Sequence, residues 1–101
     1  MLVRKDISLP QQAVQSIHAA IEAARCGLIP PDIPHPHIVL CSVSDEISLK
    51  EHIHRLDEYG IKYKSFFEPD RNNELTAIAT EPILGSRRKI FNKIPLFSIG
   101  V

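Results

Sequence analysis

Residues 28 to 37 read Leu-Ile-Pro-Pro-Asp-Ile-Pro-His-Pro-His, and the four prolines in this stretch exclude both a helix and a central strand. The chain must therefore fold as two regular blocks joined by an extended connection, which is long for a small domain. At 101 residues the two blocks belong to one domain, read here as residues 1–101. A separate substrate domain has no room.

The first block opens with a short apolar run at residues 1–4 that fits a strand. Asp6, Ser8 and Pro10 mark a turn, and Ser8 with Gln11 forms a capping-box pattern. A helix is predicted from about residue 9 to about residue 25, closed by Gly27. Its apolar positions Val14, Ile17, Ile21 and Ala24, with Ala13 and Ala20 beside them, follow a 3.6-residue period and are expected to face the core. After the prolines, residues 38–43 are apolar and β-branched at the start, which predicts a strand buried on both faces. Ser44 and Asp45 can cap a second helix with Leu49, Ile53 and Leu56 on one stripe and Gly60 at its end. Residues 61–67 alternate and carry aromatics, so they read as a strand. A polar turn at 69–73 leads to a fourth strand at 75–80. The basic segment that follows has Ile90, Phe91, Ile94 and Phe97 as apolar anchors. The order β-α-β-α-β-β predicts an α/β fold: a small four-stranded mixed sheet with flanking helices, the tail covering an edge or a face.

Composition adds little direction, with 44% hydrophobic and 24% charged residues. Formal net charge is zero, so nucleic-acid binding has to rest on a local patch. The clearest is Arg87, Arg88, Lys89 and Lys93, supported by Arg4 and Lys5. Cys26 and Cys41 do not make a disulfide framework and read as reduced thiols. No apolar run approaches the roughly 18 residues that span a bilayer, and the first residues turn polar too soon for a signal sequence. The protein is expected to be cytoplasmic.

On a helical wheel Gln11, Gln15, His18 and Glu22 share a narrow arc bordering the apolar one. Amides in a row with one imidazole can bind and activate a polar substrate, and they can equally form a solvated edge. His35, His37, His52 and His54, with Cys41, invite a metal reading. Pro36 separates the first pair, and His52 and His54 point about 160 degrees apart on a helix, which defeats chelation. No metal or cofactor is expected. The run Phe67-Glu68-Pro69-Asp70-Arg71-Asn72 also resembles the Phe-x-Asp-Pro-Asp-Gly-Asn turn of glyoxalase-like metalloenzymes, but those use paired modules, for which this chain is too short, and the likeness is read as shared turn chemistry.

The segment Gln15-Ser-Ile-His18-Ala-Ala is similar to the Gln-x-x-His-Ala pattern of the first helix in the archaeal and eukaryotic type of peptidyl-tRNA hydrolase, the class-two fold. His37-Ile-Val-Leu, Tyr59-Gly60-Ile61, Phe66-Phe67-Glu68-Pro69-Asp70 and Leu75-Thr76-Ala77-Ile78-Ala79-Thr80-Glu81-Pro82 resemble later pieces of that family in collinear order, over roughly residues 1–97. The chain departs from the family at its catalytic lysine, seven residues before the histidine, where Gln11 stands. The acid falls on Glu68, with Asp70 two residues on, and Arg71-Asn72-Asn73-Glu74 replaces the family's Gly-Arg-Thr loop. These departures suit a divergent bacterial or phage-like branch.

The resemblance implies hydrolysis of the ester bond of peptidyl-tRNA or a related acylated tRNA. The alternative is a non-catalytic tRNA- or protein-binding module on the same fold. The residues expected to act are His18, Glu68, Asp70, Gln11, Gln15 and Thr76, with Lys5, Arg87, Arg88 and Lys89 on tRNA phosphates. His18 is expected in a surface cleft near the end of the sheet, within reach of the Glu68–Asp70 turn. The resemblance also implies a homodimer.

Overall fold

The computed structural model describes residues 1–98; the last three residues of the single-domain reading lie outside the described ones. The chain forms strand β1 (Leu2–Arg4), helix α1 (Leu9–Arg25), strand β2 (Cys41–Val43), helix α2 (Glu46–Glu58) and strands β3 (Tyr63–Glu68) and β4 (Glu74–Thr80). Two 3₁₀ turns, Pro69–Arg71 and Gly85–Phe91, complete it. The strands make one mixed sheet in the order β2-β1-β4-β3, with β1 parallel to β2 and antiparallel to β4, and β3 antiparallel to β4. The fold is therefore α/β with a four-stranded mixed sheet. No helix among the described residues is long and apolar enough to cross a membrane.

Local chemistry accounts for the element ends. Ser8 caps α1 by accepting from the Gln11 N–H at 3.3 Å, and Asp45 caps α2 by accepting from the Ser48 N–H at 2.9 Å. Both helices finish in a Schellman motif. Leu28 N–H donates to Ala23 O and Gly27 N–H to Ala24 O; Ile61 N–H donates to Leu56 O and Gly60 N–H to Asp57 O. The left-handed residue is glycine both times, Gly27 at φ 83° and Gly60 at φ 65°, where a Cβ would be strained.

The helices occupy opposite faces. Leu49 and Leu56 of α2 pack with Leu2, Cys41, Val43, Leu75 and Ile78, and the anchors Ile90, Phe91 and Ile94 join them. Ala19 and Ala23 of α1 pack with Val3, Ala77 and Ala79, together with Phe66 and Phe97.

Two expectations are corrected here. The apolar arc of α1 does not face the core: Val14, Ile17, Ile21, Ala24 and Ala13 are exposed and Ala20 is half-buried, while Gln12, Gln15, Ser16, Ala19 and Ala23 are buried. Beneath α1 the sheet presents Val3, Thr76, Ala77, Ala79 and Phe66, and the helix meets the alanines with its own small residues Ala19 and Ala23. The amides buried beside them find partners, as Gln12 Nε2 does on Ile7 O at 2.8 Å and Lys5 O at 3.3 Å. Residues 38–43 are not a strand buried on both faces. Only Cys41–Val43 is strand, it lies at the sheet edge, and Ile38 and Val39 are exposed ahead of it. Its outer edge is covered by the tail, as expected: Ser42 N–H donates to Pro95 O and Phe97 N–H to Leu40 O, each at 2.8 Å.

Candidate functional site

The candidate site begins with an irregularity in β4. Along the β3–β4 ladder Phe66 opposes Ala77 and Phe67 opposes Leu75, so Thr76 has no partner of its own. This is a β-bulge, and it breaks the two-residue alternation of the strand. Leu75 and Ile78, three residues apart, both enter the core under α2, while Ala77 enters the core under α1. Thr76 is thereby turned toward α1, where its hydroxyl donates to Gln15 Oε1 at 2.7 Å.

Gln15 is the hub. Its side chain is wholly buried. Beyond accepting from Thr76, its Nε2 donates to Glu68 Oε1 and to Gln11 Oε1, both at 3.2 Å. Both amide hydrogens and the amide oxygen are engaged. The Thr76 hydroxyl has one hydrogen, directed at Gln15, with Phe66 O a distant second acceptor at 3.4 Å. Neither Gln15 nor Thr76 has a donor left for a substrate. They hold Glu68 in place. The Gln11 amide NH₂ makes no bond among the described residues, and Gln11 is exposed.

His18, one helical turn beyond Gln15, is exposed and stacks on Phe66 with ring centroids 4.7 Å apart and planes 10° from parallel. Phe66 and Glu68 are alternate residues of β3, and both address α1. One patch of α1 and the β3 edge thus collects His18, Gln11, Gln15, Thr76 and Glu68. Phe66 was not singled out from the sequence, though its spacing from Glu68 places it on the same side of a strand. Asp70 is exposed in the 3₁₀ turn. That turn closes through Asn72 and Asn73, both with positive φ, a conformation asparagine tolerates better than most residues.

The basic residues divide. Arg4 is buried and occupied: Nε and Nη2 grip the Asp6 carboxylate at 2.6 and 2.8 Å, and Nη1 donates to Glu74 at 2.7 Å and to Leu75 O at 3.3 Å. These bonds raise the Arg4 pKa and hold the Asp6 carboxyl below its ordinary range, the Arg4 hydrogen bond being the main cause for both. Lys5 is exposed at the same end of the sheet as Gln12. Arg87, Arg88 and Lys89 are exposed on the second 3₁₀ turn, past the far end of β4. Seven residues of β4 separate that end from the Glu68–Glu74 hairpin, about 20 Å of strand. Arg87 is tied there to Glu81 at 3.5 Å and Gly60 O at 3.3 Å.

A cleft of about 680 Å³ also lies at that far end, lined by Ile38, Thr80, Ile83, Leu84, Arg88 and others, and His18 is not in its lining. No three His, Cys, Asp or Glu among the described residues gather as a metal site. Comparison of the chain with family models, with curated proteins and with solved structures finds no match.

Proposed function

We propose that this chain is a class-two peptidyl-tRNA hydrolase-like domain that cleaves the ester of peptidyl-tRNA or a related acylated tRNA at the α1–β3 patch. The observation that carries the reading is the Gln15 clamp. A buried amide fixes the Glu68 carboxylate on the face that carries the exposed His18. In this reading Glu68 takes the proton of an attacking water. The Gln11 NH₂ donates to the developing oxyanion, Glu68 passes the proton it took on to the departing ribose oxygen, and the exposed His18 ring orients the attacking water. Gln15 and Thr76 are positioning residues. The basic 3₁₀ turn follows the end of β4 that lies opposite the Glu68–Glu74 hairpin, so it addresses phosphates away from the scissile bond.

A second reading, a non-catalytic tRNA-binding module, is favoured by one observation. Arg4, a basic residue near the absent lysine's place in the sequence, is consumed by Asp6 and Glu74. Single-turnover deacylation of an N-acetylated aminoacyl-tRNA separates the two. Hydrolysis above the buffer rate, lost by about 100-fold or more in Glu68→Gln with tRNA binding retained, supports the enzyme. Binding without hydrolysis in the wild type supports the module. Neither binding nor hydrolysis removes both.

A further inference from the structure

A different site lies in the far-end cleft, and it does not rest on the tRNA reading. We propose that this cleft binds an aliphatic carboxylate, with the chain in the cleft and the carboxylate on Arg88. Four of the most exposed large hydrophobic residues line it: Leu84 at 80% exposure, Ile38 at 70%, Leu96 at 67% and Val39 at 52%. Apolar side chains this exposed and gathered in one concavity mark a binding surface. The volume, about 680 Å³, falls in the range of small-molecule sites. The walls are mostly aliphatic, with the rings of Phe91 and His37 and the polar Thr80 and Asn92 among them, which suits a hydrocarbon body carrying one polar end.

The charge of the lining selects the headgroup. Its one acid, Glu81, is already neutralised, accepting from the Lys62 N–H at 2.7 Å and from Arg87 at 3.5 Å. Arg88 sits in the same lining, exposed, and makes no ion pair among the described residues. A guanidinium beside an apolar trough matches a planar carboxylate, which it can bind bidentately.

The test is titration of the full chain with sodium laurate below its micellar concentration, followed by calorimetry and by methyl NMR. Laurate should shift the methyls of Ile83, Leu84 and Ile94. Arg88→Gln should weaken laurate about tenfold or more and leave the neutral analogue 1-decanol unaffected, while Lys89→Gln, on the same turn but outside the lining, should leave laurate binding unchanged. Arg88 is exposed, so the variant keeps its fold, and an unchanged urea midpoint confirms that. Three results would overturn the proposal: no shift at those methyls, equal laurate affinity in Arg88→Gln, or shifts that depend on protein concentration alone. The last would make the face a contact between copies of the chain.

Discussion

Gln15 and Thr76 are two buried polar groups that satisfy one another, and this predicts a specific pattern of energies. Gln15→Leu keeps the volume but leaves the buried Thr76 hydroxyl with only the 3.4 Å contact to Phe66 O. A stranded buried hydroxyl costs about 1–2 kcal/mol. The lost bond to Glu68, which is half-exposed, adds about 1 kcal/mol at most, for a total of about 2–3 kcal/mol. Thr76→Val strands the Gln15 oxygen instead and costs about 1–2 kcal/mol. The double variant strands neither group. It should cost less than the sum of the single variants by about 1 kcal/mol or more. Urea denaturation of the four proteins measures this directly, provided the slopes agree. On heating, Gln15→Leu should melt about 10 °C or more below wild type. If the two single effects add to within about 0.3 kcal/mol, the amide and the hydroxyl do not share a buried bond, and the account of the bulge fails.

Three further outcomes are expected. Gln11→Lys places a cation next to Gln15 and His18 and should raise single-turnover deacylation about tenfold or more, about 1.4 kcal/mol of barrier; Lys5→Ala abolishing the rate while Gln11→Lys does nothing would put the working cation at Lys5 instead. Replacing Arg87 and Arg88 together by Ala should weaken tRNA binding and flatten its salt dependence by nearer one charge than two, because Arg87 is already held by Glu81; an unchanged slope in filter binding would remove the turn from the RNA interface. Asp6 has a depressed folded-state pKa, so its contribution to stability is present above its unfolded value, about 3.9, and is lost as pH falls below it; Asp6→Asn should flatten the acid limb of urea midpoints measured from pH 6 to pH 2, and an identical limb would discount the Arg4 pairing.

What was legible in the sequence was local. Ser8, Asp45, Gly27 and Gly60 mark helix ends through bonds made within a few residues, and α1 runs over Leu9–Arg25 as its period predicts. The face of α1 was not legible, because the wheel ranks side chains by polarity, whereas the buried face joins small Ala19 and Ala23 to amides, Gln12 and Gln15, that find hydrogen-bond partners. Ser16, Ala19 and Ala23, at helical spacing, were the available signal: small residues where two backbones approach. The apolar run before β2 read as a central strand because a run alone does not reveal which neighbours the strand will have. Of the site, Gln15, Glu68 and Thr76 were named from the sequence, but their mutual bonding depends on the bulge, and an unpaired Thr76 leaves no trace in residue type.

The position of β4 bears on how the chain is made. Among the described residues it is the last strand in chain order, yet it lies inside the sheet, between β1 and β3, and both helices rest on it. A nascent chain that has emerged only through α2 holds β1 without its inner neighbour and two helices without their shared floor. The pairing of Val3 with Ala77 closes a loop of more than 70 residues, so the sheet cannot zip from one end. Until residue 80 clears the ribosome, the polypeptide offers sticky strand edges to chaperones and proteases. Folding should then proceed in a single concerted step rather than by accretion.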